Sequence, residues 1–168
     1  MAKHAPDQPA PAMPGKLMNA ITDLGGEDVL WVIGKKLEKT DVSKCHNRLS
    51  ILESQVAVEE FITITERSEI SQRNKIAVDV VLLVTAGGGG GGGDDEAHHQ
   101  GTQLWGLNFT KWEMKISSIY VLITNWWELV RNNSLKRGDK AQVWSFRRSH
   151  NGGEKKKKLC FAINVLRN

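Results

Sequence analysis

A chain of 168 residues with 40% hydrophobic and 25% charged content can bury a real core and is not disordered as a whole. Its longest apolar run, Val80–Val84, is strand-sized, which excludes a membrane-spanning helix, and the N-terminus lacks the basic-then-apolar pattern of a secretory signal. The formal net charge is +4, and two distant cysteines, Cys45 and Cys160, read as reduced thiols of an intracellular protein.

Residues 1–27 are rich in Pro, Ala and Gly, centred on APDQPAPAMPG (Ala5–Gly15). They are expected to form a disordered tail, in which Leu17–Leu24 can make a short helical turn. The fold is expected to start near Asp28, because Val29–Ile33 is β-branched and aromatic, as a strand prefers. Lys35–Val42 passes through Thr40–Asp41, a turn or helix-cap pair, to a short strand at Arg48–Leu52. Over Val56–Thr65 two patterns compete. Val58, Phe61 and Ile62 fall at helical spacing, whereas the run Phe61–Thr65 favours a strand. Ile76–Val84 is the clearest strand, with Ile76, Val78, Val80, Leu82 and Val84 on one face. Its other face is also largely apolar, so burial on both sides is expected.

Seven consecutive glycines, Gly87–Gly93, followed by Asp94-Asp95-Glu96, mark a flexible insertion over 86–102. They do not make a phosphate cradle, since no Lys-Ser/Thr follows and no helix opens. Leu104–Trp112, Ile119–Ile123, Lys140–Arg147 and Leu159–Leu166 read as strands, the last two joined across the hairpin signal Asn151-Gly152-Gly153. Asn125 is placed to cap a helix Trp126–Asn132, with Glu128 completing a capping box. Gly138 supplies the positive dihedral of the turn that follows. About seven short strands and one or two small helices point to a mainly β fold, a small barrel.

Charge is segregated along the chain. Thr110–Arg148 carries eight basic residues against Glu113, Glu128 and Asp139, whereas Glu53–Glu69 carries five glutamates against Arg67 alone. A basic side and an acidic side fit one surface facing a polyanion and another facing solvent. No nucleophile elbow or paired-carboxylate spacing occurs, so neither catalysis nor a cofactor is expected. His98-His99 beside Asp94–Glu96 lacks fixed geometry for a metal, and Cys45-His46 with Cys160 lacks a fourth ligand. The run Lys155–Lys158 reads first as a solvated hairpin tip, with nuclear import or a phosphate contact as the sharper alternative.

An ordered set of residues runs through the chain. Lys35, Leu37, Thr40-Asp41-Val42 and Asn47-Arg48-Leu49 are followed by Trp112, Tyr120 and Leu122, then by Trp126, Leu129 and Val130. Asn133, Leu135, Gly138-Asp139 and Val143-Trp144-Ser145-Phe146-Arg147 complete it. In this order the chain resembles the plant B3 DNA-binding domain over most of residues 29–166, and Lys158–Ala162 is similar to one divergent subgroup. The resemblance implies a seven-stranded open pseudo-barrel over residues 28–167, acting in the nucleus as a transcription regulator. It implies double-stranded DNA as partner, gripped in the major groove by two arms, with protein partners in transcription complexes. The first arm maps onto Ser43–Ser50 and the second onto Lys115–Tyr120.

On that mapping, Asn47 and Arg48 are types that make bidentate contacts with adenine and guanine edges, while Lys44 and His46 add phosphate or base contacts. Ser50 closes the first arm. In the second, Lys115, Ser117 and Ser118 offer donors, Ile116 can touch a thymine methyl, and Tyr120 ends the arm. Lys35, Lys136 and Arg137 read as phosphate clamps. Trp112, Trp126 and Trp144 are expected in the core and Trp127 at its margin. The chain departs from the family pattern at Leu52-Glu53, where proline is usual, and in the second arm, WEMKISSIY, which lacks the arginine- and tryptophan-rich pattern. The alternative from another functional class is a protein-interaction module that keeps the barrel without specific DNA binding.

Overall fold

The computed structural model describes residues 9–86, 101–149 and 157–168. Seven strands, β1 (Gly26–Lys36), β2 (Leu49–Leu52), β3 (Ile76–Thr85), β4 (Gln103–Glu113), β5 (Ser118–Ile123), β6 (Lys140–Ser149) and β7 (Lys157–Leu166), form one sheet. Their order is β1-β6-β7-β3-β4-β5-β2, and every neighbouring pair is antiparallel except β3 with β7. The end strands β1 and β2 do not pair with each other, yet Val32 and Ile33 of one and Leu49 and Ile51 of the other enter the same core. The sheet therefore curls around that core without closing, the expected open pseudo-barrel. Among the described residues three α-helices accompany it, α1 (Gly15–Asp23), α2 (Ile64–Ser71) and α3 (Trp126–Asn133), rather than one or two.

Alternation along β3 sends Val78, Val80, Leu82 and Val84 inward, and β7 does the same with Leu159, Phe161, Ile163 and Val165. Phe61, delivered by the short 3-10 turn Glu59–Phe61, fills the centre. Its ring meets Phe109, Tyr120 and Phe161 edge-on at centroid distances of 6.1, 5.4 and 6.1 Å.

The outer face of the middle strands is buried as well, and here the expectation of a disordered tail is corrected for Gly15–Glu27. Helix α1 lays Leu17 (0% exposed) and Ile21 (1%) against Val81, Leu83, Trp144, Phe146, Cys160 and Ala162, and β1 begins at Gly26. The two apolar faces of β3 require such a cover. Helix α1 supplies it because Leu17 and Ile21 stand four residues apart on one helical side. At Gly26 the contact is so close that a Cβ would lie 2.6 Å from both the Ile21 and Phe146 side chains, so only glycine fits. Burial, and then the Asp79 carboxylate, push the Cys160 thiol up to about 11, so it stays protonated under the helix.

The ambiguous stretch Val56–Thr65 is neither helix nor strand for most of its length; α2 begins only at Ile64. Thr63 caps it reciprocally, its hydroxyl accepting from the Glu66 N–H at 3.0 Å while the Glu66 carboxylate accepts from the Thr63 N–H at 2.9 Å. Arg147 of β6 then grips the same carboxylate with two bonds, 2.6 and 2.8 Å, and donates to the Phe61 carbonyl at 2.8 Å. Burial opposes the charged form of Glu66, but the Arg147 and Thr63 bonds prevail and hold its pKa below the usual 4.5. Strands β6 and β7 pair from Lys140↔Leu166 to Ser149↔Lys157, as a hairpin requires. The Asn151-Gly152-Gly153 turn, Gly87–Gly93, Asp94–Glu96, His98-His99 and Lys155-Lys156 lie outside the described residues.

Two predictions test these packings. Leu17→Ala should lower unfolding stability by about 3 kcal/mol in urea titration, as for other fully buried leucines, whereas a passive tail would give no change. A depressed carboxylate pKa contributes stability that is present above its unfolded value and lost as pH falls through the folded one. The stability gap between wild type and Glu66→Gln should therefore be about 2 kcal/mol at neutral pH and shrink below about pH 4. A gap independent of pH would show that the Arg147 clamp does not depend on the Glu66 charge.

Candidate nucleic-acid interface

The first arm grows from a buried carboxylate. Between β1 and β2 the chain makes a 3-10 turn, Lys39–Val42, that carries Asp41 to 1% exposure. One Asp41 oxygen accepts from the Glu38 N–H and faces the Lys35 ammonium, both at 2.8 Å; the other accepts from the Ser50 N–H at 3.1 Å. The Asp41 carbonyl accepts the Trp126 indole N–H at 2.7 Å. Lys35 also donates to the Ser50 carbonyl at 2.5 Å. An unpaired buried carboxylate is strongly destabilising, so Lys35 serves here as the counter-ion of Asp41.

Asn47 is likewise engaged. It sits at φ 47°, a left-handed conformation that asparagine tolerates, and its Oδ1 accepts from the Trp127 N–H at 2.6 Å. It thus caps α3 from a distance of 80 residues in sequence. The expected cap is corrected: the Asn125 side chain makes no cap bond and donates instead to the Gly106 carbonyl at 2.8 Å. Glu128 pairs with Arg131 at 2.6 Å. With its Oδ1 turned onto the helix, Asn47 does not present the free amide edge that bidentate adenine recognition uses.

Arg48 is held differently. Its Nε donates to the Ser50 hydroxyl at 3.2 Å, and its guanidinium carbon lies 5.1 Å from the centre of the Trp112 ring. Both terminal amino groups are without a partner among the described residues. Trp112 is therefore a half-buried platform, not the core residue expected, whereas Trp126 (0%) and Trp144 (4%) are in the core and Trp127 is at its margin. Lys44 and His46 are exposed beside Arg48, with the His46 Nδ1 3.0 Å from the Ser43 hydroxyl.

The second arm is a tight turn in which the Met114 N–H donates to the Ser117 carbonyl at 2.8 Å. Lys115 and Ser117 are exposed and Ile116 is 96% exposed at the tip, while Ser118 is half-buried opposite Glu113. Tyr120 does not belong to the arm. It is 0% exposed and stacks on Phe109 at 5.5 Å. Burial, and then the Glu53 carboxylate, push that phenol up to about 12. The roots of the two arms stand at opposite ends of the β2–β5 ladder, Leu49↔Leu122 to Leu52↔Ile119, separated by about 10 Å of strand. Arg48 reaches over Trp112, whose partner Ile119 lies at the second arm's end of that ladder. Lys136 and Arg137 are exposed in the turn after α3, where Gly138 takes the expected positive φ, 97°.

The sequence reading missed Asp41 as a hub and Trp112 as a platform. Asp41 carried one usable signal, a carboxylate in a stretch with Lys35, Lys36, Lys39 and Lys44 against Glu38 alone besides itself. No group of three or more metal-ligating side chains comes together among the described residues, and Cys160 is buried under α1, away from exposed Cys45.

A family profile described as "B3 domain-containing protein At2g31720-like" matches residues 9–86 and 96–167. Among curated proteins of Arabidopsis thaliana, the chain is 32% identical to B3 domain-containing protein At3g25182 over 157 residues, 87% of this chain and 41% of that one. It is 31% identical to At5g24050 over 83% of this chain and 39% of the relative, so it spans about two-fifths of the length of these relatives. Of solved structures, the Arabidopsis FUS3–DNA complex aligns with a TM-score of 0.44 at 17% identity, covering 80% of this chain and 95% of that one. The match of the profile to both halves of the described fold settles the assignment: the chain belongs to the family of B3 domain-containing proteins, of the At2g31720-like kind.

Proposed function

We propose that this domain binds double-stranded DNA sequence-specifically, entering the major groove with its two arms, as part of a nuclear transcription regulator. The observation that carries the reading is Arg48. Its Nε is fixed by Ser50 and its face by Trp112, which leaves the two terminal amino groups as an open, pre-oriented fork. That is the donor pattern that pairs with O6 and N7 of guanine. Lys44 and His46 in the first arm and Lys115 in the second lie exposed as phosphate or base contacts, and Ile116 meets a thymine methyl. Lys136 and Arg137 hold the backbone and carry no sequence information. Asn47 contributes by fixing the arm to α3, leaving Arg48 as the principal reader.

Selection from a random duplex pool across a salt series tests the reading. Wild type should enrich a guanine-containing site with a steep salt slope. Arg48→Ala should keep its melting temperature and lose about 1–3 kcal/mol of preference for that site. Asp41→Ala should instead lower unfolding stability by about 3 kcal/mol or more, because it strands the Lys35 charge and the arm together. Wild-type binding no stronger than background at low salt would reject DNA recognition in favour of a protein-interaction module.

A further inference from the structure

Positive charge without internal compensation gathers at the end of the sheet beside the first arm. Lys36 of β1 and Lys140 of β6 are register partners, both exposed, and neither meets a carboxylate among the described residues. Like charges placed directly across an antiparallel pair destabilise it, so the fold gains nothing from this arrangement. The turn after α3 is stitched to the same place. The Gly138 N–H donates to the Leu37 carbonyl at 2.9 Å, and the Leu37 N–H donates to the Asp139 carbonyl at 2.8 Å. Exposed Lys136 and Arg137 therefore sit beside Lys36 and Lys39. Asp139 does not offset them: it is 3% exposed, and its carboxylate accepts the Lys136 and Asn168 N–H groups at 2.8 and 2.9 Å. Glu38 is the single exposed carboxylate within 36–40 and 136–140. The second arm's side differs, because Lys111 there is paired with Glu53 and Glu113 at 3.2 and 3.8 Å.

We infer that Lys36, Lys39 and Lys140 join Lys136 and Arg137 in a platform for duplex phosphates on one flank only of the base pairs the arms read. The inference rests on the DNA-binding reading above and adds a one-sided footprint to it. The chain from Lys39 to Lys44 reaches at most about 17 Å, which keeps the platform within about five base pairs of the arm. Phosphates are the partner that fits, since four of the five exposed cations are lysine ammoniums, which act as point charges without sequence preference.

Fluorescence anisotropy with the selected duplex, shortened from either flank, tests the platform. Removing the flank over it should weaken wild-type binding about tenfold, while removing the opposite flank should change little. Lys36→Glu and Lys140→Glu should each reduce that asymmetry, lower the salt slope by about one unit or more and leave Arg48-dependent site choice intact. Each should also hold or raise the melting temperature, because a like-charge pair becomes an opposite-charge pair, so weaker binding does not reflect unfolding. Equal dependence on both flanks, or a salt slope unchanged in both variants, overturns the platform while leaving the arm reading in place. Wild type that binds no duplex overturns the arm reading, and the platform with it.

Discussion

The Asp41 carboxylate is the constraint around which the first arm is assembled. A buried charge must be matched by a counter-charge and by donors, and the residues that satisfy this one come from different parts of the fold: Lys35 of β1, the Glu38 N–H before the turn and the Ser50 N–H of β2. The Trp126 indole, bonded to the carbonyl of the same residue, brings in α3. Asn47 adds a second tie to that helix six residues later. The root of the arm is thus over-determined while the Arg48 fork remains open, which is how a recognition group is held ready without being used up.

The sheet meets a second demand, on its opposite face. Strands β3, β6 and β7 carry apolar side chains on both sides, and a curled sheet buries only the concave one. Helix α1 closes the convex side with a core of its own, small but tight enough to demand glycine at position 26. Arg147 serves the other layer, drawing α2 and the Phe61 plug onto the sheet. The middle of the sheet is therefore a three-layer structure, whereas the β2–β5–β4 end that carries the arms is left more open.

Much of the fold was legible because its signals are local. The alternation in β3, β6 and β7 and the Gly138 turn are written in neighbouring residues. The double apolar face of β3 even announced a cover, but the proline-rich setting of α1 concealed which segment provides it. The Thr63–Glu66 capping box is a local sign of α2 that the competing patterns over Val56–Thr65 left unread. The site was less legible, since its residue types do not reveal their partners. Nothing in the sequence tells that Lys35 is paired with Asp41 or that Asn47 accepts from the Trp127 N–H. Tyr120 follows the alternation of β5, which sends it inward with Leu122, so the second arm ends before it.

The strand order has a consequence for how the chain is made. Strand β1 finds its partner in β6, with Gly26 opposite Arg148, and α1 rests partly on β7. On a ribosome adding about 5–20 residues per second, the first strand waits about 6–25 seconds for that partner to be synthesised. Throughout that interval the backbone edge of β1 has no strand to pair with among the described residues, although Leu17 and Ile21 can already meet Val81 and Leu83 of β3. The edge of β1 is therefore among the last parts of the sheet to be paired, although it is the first strand to be made.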